Sequence, residues 1–330
     1  LAQITTEQRA RCGPDMKDLA EANVGKFVDP ALTAKGEDRA TVALTNPETL
    51  WFNTGTLCNI ECVNCYIASS PTNDSLVYIT TAEVQDYLDQ IVDRNWPIKE
   101  IAFTGGEPFM NPQMIDITRA SLEAGYDVLI LTNAMRPMMR KPVQNGLLEL
   151  NAAFPGKLTL RISVDHYDPA LHDAERGVGA FDKTVVGMNW LRDNGLRMAV
   201  AGRSIFGHSE ADSRSGYGVF YAEHGFDIDS SDPSMTVLFP EMDETVEVPE
   251  ITTACWGILD KSPDAVMCSS SRMVVKRKGA EKPAVLACTL LPYDPEFELG
   301  NSLAKAERDV ALNHPHCAKF CVLGGASCSA

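Results

Sequence analysis

Between Leu50 and Pro240 the apolar residues switch repeatedly between the two-residue period of a strand and the 3.6-residue period of a helix, and this alternation constrains the fold most. A chain that alternates in this way builds a parallel sheet with helices packed on it. Six strands are expected: LWFNTG (50–55), KEIAFTGG (99–106), YDVLILTN (126–133), KLTLRISVD (157–165), LRMAVAGRS (196–204) and SMTVLFP (234–240). Between them, TAEVQDYLDQIVDRN reads as an amphipathic helix, with Thr80 and Glu83 at capping-box spacing and Val84, Leu88 and Ile91 on one face. PQMIDITRASLEAG and FDKTVVGMNWLRDNG repeat the theme; the second carries Phe181, Val185 and Met188 on one stripe, and the two end at Gly125 and Gly195. Six such units are too few to close an eight-stranded barrel. The expected fold is therefore α/β, a partial (β/α)6 TIM-like barrel over residues 50–249.

Residues 1–49 show no motif and are expected to be an extension packed on the barrel. After about Glu250 the alternation gives way to a cysteine-rich stretch with short strands RMVVKR and AVLA around the turn-like KGAEKP, so a small second domain is expected over 250–330. The 45 acidic and 29 basic side chains leave a formal charge of −16, which would repel a phosphate backbone and disfavours nucleic-acid binding. Ten of the carboxylates, including Glu241, Asp243, Glu244, Glu247 and Glu250, lie in segment 215–260, which has no Lys or Arg. A solvated acidic loop is the simpler reading of that segment, and a lid favouring a cationic partner is the other. No run of eighteen apolar residues and no signal-peptide pattern is visible, so a cytoplasmic protein without a membrane span is expected.

Ten cysteines in such a chain point to metal or redox chemistry before a disulfide framework. Their positions are clustered. Cys58, Cys62 and Cys65 form C-x3-C-x2-C directly after the first strand, and Cys255, Cys268, Cys288, Cys317, Cys321 and Cys328 lie in the last 76 residues; Cys12 stands alone. Three thiolates can hold three irons of a [4Fe–4S] cube and leave the fourth iron open, whereas full ligation uses four cysteines. Zinc, held by the same three and a fourth ligand, is the alternative at this spacing.

The cysteine loop after strand one, followed about 40 residues later by Thr104-Gly105-Gly106-Glu107-Pro108 after strand two, resembles the radical S-adenosylmethionine (SAM) enzymes. The resemblance implies a partial barrel that binds a [4Fe–4S] cluster with an open iron site and SAM. It also implies a flavodoxin- or ferredoxin-type reductant and one-electron cleavage of SAM to a 5′-deoxyadenosyl radical, which abstracts hydrogen from a substrate C–H. The resemblance places Gly105, Gly106 and Glu107 among the SAM-binding residues, the two glycines letting backbone approach the methionine part of SAM. Asn64 stands where the family usually has an aromatic residue, and Tyr66 is the neighbouring ring that would pack on the cofactor instead. HDAERGVGAFDKTVVGMNWLRDNG (172–195) resembles the helix after the fourth strand in members with extra clusters. Ser163, Asp165 and Arg203, at the ends of strands four and five, sit where the family often holds the ribose and carboxylate of SAM.

The tail, Cys268-x19-Cys288 and then Cys317-x3-Cys321-x6-Cys328, resembles the SPASM/twitch extension. That likeness implies one auxiliary [4Fe–4S] cluster on Cys268, Cys288, Cys317 and Cys321, with Cys255 or Cys328 as substitutes and two clusters as the alternative. Zinc, with His314 and His316 nearby, is again the competing metal. Where some peptide-modifying relatives have an acidic base after a hairpin cysteine, this chain has Thr289. The 49 residues before strand one are too short for the peptide-recognition domain of most such relatives, which favours a small-molecule or free-peptide substrate. A peptide maturase, of the kind that modifies ribosomally made peptides, is a second reading. A non-catalytic metal-binding or electron-transfer protein on a degenerate barrel is a third, disfavoured by the intact C-x3-C-x2-C and GGE.

Overall fold

The computed structural model describes residues 25–241, 243 and 246–325. All six expected strands form. After a short β1 (Thr41–Val42) come β2 (Thr49–Asn53), β3 (Glu100–Thr104), β4 (Asp127–Thr132), β5 (Leu158–Ser163), β6 (Arg197–Arg203) and β7 (Thr236–Phe239), side by side and parallel in that order. Their continuous apolar runs follow from burial on both faces: every residue of β2 is buried, as are Ile101 to Thr104 of β3.

The helices cover the outer face in sequence. In α1 (Thr81–Asp93) the capping box is made by Thr80 and Glu83, and Val84, Tyr87, Leu88 and Ile91 form the buried stripe. Next are α2 (Met114–Glu123) and α3 (Lys141–Ala153), which has Pro142 in its first turn. A short α4 (Pro169–Arg176) starts at Asp168, whose carboxylate accepts from Ala170 N and Leu171 N. In α5 (Ala180–Asp193) Phe181 and Met188 are buried, and α6 (Glu210–His224) ends at a left-handed Gly225. A five-residue α7 (Cys255–Leu259) opens the tail.

The tail's strands extend the barrel sheet. The first, β8 (Ser271–Val275), pairs parallel with β2, matching Thr49 to Ser271; β9 (Ala284–Leu286) and β10 (Glu298–Gly300) follow antiparallel. The nine-stranded order is β10-β9-β8-β2-β3-β4-β5-β6-β7. Residues 250–330 thus contribute strands to the barrel's first edge as well as cysteines. The last strand, β11 (Val310–Ala311), pairs with β1, so the segment before the barrel is sewn to the tail.

The acidic segment is used to hold this arrangement. Glu250 accepts from Arg39 Nη2 at 2.6 Å and from the backbone N–H groups of Phe27 and Ala34, and Arg39 and Glu250 are buried together. Glu247 pairs with Lys26 at 3.0 Å, and Glu241 lies 4.0 Å from Lys319. Asp229 and Asp232 cap their own turns at Ser231 N and Ser234 N. These contacts leave the lid reading without support at those five carboxylates.

Candidate active site at the strand ends

Side chains from the C-terminal ends of β2 to β7 converge on one cavity, the place where β/α barrels assemble their sites. Its polar side is made by Cys58, Cys62 and Cys65, by Thr104, Gly105 and Gly106 after β3, by Asn133 after β4, and by Ser163, Asp165, Arg176 and Arg203. Tyr66 also lines it, its hydroxyl 3.3 Å from Thr104 Oγ1.

The cysteine loop is fixed by backbone contacts with neighbouring strand ends. Gly106 N donates to Gly55 O at 2.8 Å, Glu107 N to Leu57 O, and Cys58 N to Ser70 O. The glycines have a reason that spacing alone does not reveal. A Cβ at Gly106 would stand 2.3 Å from Leu57 O, and one at Gly105, whose φ is +143°, would stand 2.6 Å from Gly55 O. Both positions therefore need glycine first to let the cysteine loop lie against β3. Glu107 turns below this floor, where it accepts from Asn133 N at 2.9 Å, from the Thr132 hydroxyl at 2.8 Å and from Phe109 N. Burial pushes its carboxyl up to about 7 against those hydrogen bonds. Its side chain thus braces the β3 and β4 ends and does not line the cavity, contrary to the expectation that Glu107 contacts SAM, because its carboxylate is taken up by Asn133, Thr132 and Phe109.

Asp165 and Arg203 are also engaged by the protein. Asp165 accepts two parallel bonds from Arg176, at 2.7 and 2.9 Å. Burial opposes its ionisation, but Arg176, with Arg203 beyond, outweighs this and holds the carboxyl below the usual range. Arg203 Nη1 donates to Asn64 O at 2.9 Å, while the Asn64 side chain donates to both oxygens of Glu175. The Cys62–Cys65 turn is in this way pinned to α4 at the position where the family pattern is broken. Arg176, Glu175 and Asn133 are site residues that the sequence did not single out; for Arg176 and Glu175 the signal was that residues 172–195 continue the resemblance, and for Asn133 its place at the end of the strand 126–133.

The three thiols are free and share the cavity. Burial pushes the Cys58 thiol up to about 12 and raises Cys62, the neighbouring thiols adding to both. Such thiols bind metal only by releasing protons, and anionic thiolates here would face Arg176 and Arg203. Among the described residues no three His, Cys, Asp or Glu side chains are placed to hold a single metal ion. Around one zinc, sulfurs stand within ~4 Å of each other; a cube spreads them further. Cys58, Cys62 and Cys65 fit a cube by their donor set, three free thiols on one loop facing one cavity, which suits three irons and leaves the fourth open to a chelating cosubstrate.

In the second set, Cys268 precedes β8, Cys288 follows β9, and Cys317 and Cys321 share a π-helical turn (Cys317–Leu323). Burial raises Cys317, and Cys288 and Cys268 are close enough to raise it further; burial brings Cys268 to about 11. Among them lies Arg272, 1% exposed, donating to the carbonyls of Cys268, Ser271, Ala306 and Arg308. Among the described residues no carboxylate is within ion-pair distance of it. Cys255 sits at the start of α7 with its thiol 3.5 Å from Thr252 Oγ1. Cys12 and Cys328 lie outside the described residues. The two cysteine sets share a wall: Thr289 and Leu290, next to Cys288, and Phe320, between Cys317 and Cys321, line the same cavity as Cys58. Phe239 and Pro240 complete this apolar side, with the Phe239 ring stacked on Phe320 at 5.7 Å.

The geometry defines a partial β/α barrel with an open three-cysteine loop at its strand ends. Residues 52–214 match the model described as the radical SAM superfamily, and the chain belongs to that family. It is 31% identical over 156 residues to an AdoMet-dependent heme synthase of Methanosarcina barkeri, an alignment covering 46% of this chain and 41% of that protein. It is 32% identical over 150 residues to AlbA of Bacillus subtilis, an antilisterial bacteriocin subtilosin biosynthesis protein, over 45% of this chain and 31% of AlbA. Each match therefore spans under half of the curated relative's length. Crystal structures of Streptococcus suis SuiB, bound to S-adenosylmethionine or to its precursor peptide SuiA, superpose with TM-scores of 0.56 and 0.57. They share 14% identity and cover 78% of this chain and 63% of SuiB, a likeness of fold.

Proposed function

We propose that the protein is a radical SAM enzyme that acts on a peptide, taking hydrogen from an apolar side chain held between two iron–sulfur sites. The observation that carries this reading is the shared cavity, with the open cysteine loop on one side and Leu290 and Phe320 of the second cysteine set on the other. When bound, the cube and SAM supply a one-electron cleavage that yields methionine and a 5′-deoxyadenosyl radical, and the protein's part is to orient and shield it. Cys58, Cys62 and Cys65 hold the cube. Gly105 and Gly106 seat the loop, Tyr66 and Thr104 border the cofactor side, and Ser163, Asp165, Arg176 and Arg203 offer polar contacts to the ribose and carboxylate of SAM. Leu290, Phe320, Phe239 and Pro240 exclude water and favour an apolar group next to the radical.

Cys268, Cys288, Cys317 and Cys321 are assigned to one auxiliary [4Fe–4S] cluster, with Arg272 as a buried countercharge. A cluster held by these four thiolates would supply one-electron redox chemistry next to the cavity wall formed by Thr289, Leu290 and Phe320. AlbA and SuiB support the peptide class, since one serves bacteriocin biosynthesis and the other was crystallised with a precursor peptide. The heme-synthase likeness keeps a small-molecule substrate as the second reading.

Anaerobic reconstitution tests the proposal. About eight irons per chain are expected for two cubes, and about four would remove the auxiliary site. With SAM and a strong reductant the protein should release 5′-deoxyadenosine, and Cys62→Ala should abolish this while keeping the auxiliary iron. A colourless protein with stoichiometric zinc sinks the reading. Mass spectrometry of peptide panels incubated with the active protein separates the peptide from the small-molecule class.

A further inference from the structure

Ser69 lies four residues past Cys65 on the loop that carries the three thiols. It is 4% exposed, and its backbone N–H donates to Cys65 Sγ at 3.3 Å. Ser69 is one of the residues lining the cavity shared with Cys58, Cys62 and Cys65, yet its buried Oγ has no hydrogen-bond partner among the described residues. The next residue behaves differently: Ser70 Oγ is within 3.3 Å of Thr72 N, Thr72 Oγ1 and Asn73 N. A buried hydroxyl left unpaired costs about 1–3 kcal/mol, so the partner of Ser69 is to be sought in whatever fills the cavity. Residue 69 is already at the Cys65 sulfur through its N–H, so the acceptors nearest its hydroxyl in a loaded site are sulfurs.

We propose that Ser69 is a positioning residue for the open-site cluster, its hydroxyl donating to a cysteinyl or inorganic sulfur of the cube held by Cys58, Cys62 and Cys65. This rests on the radical SAM reading of the site. A cube gains negative charge on reduction, and hydrogen bonds to its sulfurs favour the reduced form and raise the potential. The hydroxyl therefore eases the electron transfer that must precede SAM cleavage. The Asn133 amide, which has two N–H groups, donates to Asn59 Oδ1 at 2.9 Å and to Cys58 Sγ at 4.0 Å, so it serves the Cys58 side of the loop while Ser69 stands at Cys65.

The test compares the full-length wild type with Ser69→Ala and Ser69→Thr. Before loading, Ser69→Ala should unfold no earlier than wild type, because no bond is lost; a serine with a structural role would lower the melting temperature. After anaerobic reconstitution the iron content should be equal in all three. The open-site cube is recognised as the electron paramagnetic resonance signal missing in Cys62→Ala. At a fixed ambient potential its reduced-to-oxidised ratio should fall about three- to tenfold in Ser69→Ala, the factor one net hydrogen bond is worth, and recover in Ser69→Thr. SAM affinity, measured separately, should change less than about twofold. An unchanged ratio with full iron content overturns the proposal. So does weaker SAM binding at an unchanged ratio, which would assign the hydroxyl to SAM. A wild type that takes up no iron instead overturns the radical SAM reading beneath it.

Discussion

His172 is fully buried in α4, and both of its ring nitrogens lack a hydrogen-bond partner among the described residues. Burial, aided by the Arg176 charge, lowers it to about 4 although Asp165 and Asp173 pull the other way. The folded value lies below the unfolded value of 6.5, so the unfolded chain binds the extra proton first. Stability from this residue is complete above that unfolded value and is lost as pH falls towards the folded one, by about 2 kcal/mol at pH 5. His172→Leu should remove this acid-side loss. Urea unfolding of the metal-free protein at pH 5 and pH 7.5 checks it, and a variant as pH-sensitive as wild type would place the acid limb elsewhere. Ser69, Arg176 and His172 share one reason for being hard to find in the sequence. Their importance lies in what surrounds them, and a single serine or histidine between ordinary neighbours carries no periodic signal.

The six strands and the flanking helices α1, α2 and α5 were legible because their signals are local. Thr80 and Glu83 are three residues apart, and the runs LWF, IAF and VLILT are short, apolar and bounded by turn residues. The C-x3-C-x2-C loop was legible for the same reason. The glycines were found but their work was only partly read, since the carbonyls of Gly55 and Leu57 that they meet lie some fifty residues earlier. Gly106→Ala puts a methyl carbon within 2.3 Å of the Leu57 backbone, which cannot swing aside like a side chain. The variant should keep its barrel helices by circular dichroism but lose the iron that we assign to Cys58, Cys62 and Cys65. Retention of that iron would show that the loop has another way to lie on β3. The pairing of β8 with β2, across more than two hundred residues, had no local signature, and the tail strands read from sequence as a separate hairpin.

At the scale of the whole molecule, the chain before the barrel is tied to its far end by β1–β11, by Lys26–Glu247 and by the buried Arg39–Glu250 pair. Glu250→Ala would leave a fully buried guanidinium without its carboxylate and unsatisfy two backbone N–H groups, and should cost about 3–5 kcal/mol. Chemical denaturation reads this directly, and a loss below about 1 kcal/mol would mean that Arg39 finds another partner. A formal charge of −16 gave no hint of this use, because charge counts do not distinguish a solvated carboxylate from one that receives three hydrogen bonds.

The place of β8 in the sheet also sets an order on synthesis. Strand β2 precedes the cysteine loop and is flanked on one side by β3, which emerges from the ribosome soon after it, and on the other by β8, which begins at Ser271. Until that later strand arrives, β2 is an open apolar edge, the kind of surface that invites pairing with another chain. The cysteine loop can thus be made early, but the strand it follows is flanked on both sides only once Ser271–Val275 have been made. Cofactor insertion into this protein is therefore expected to follow translation, and a truncated chain ending before β8 should aggregate before it accepts iron.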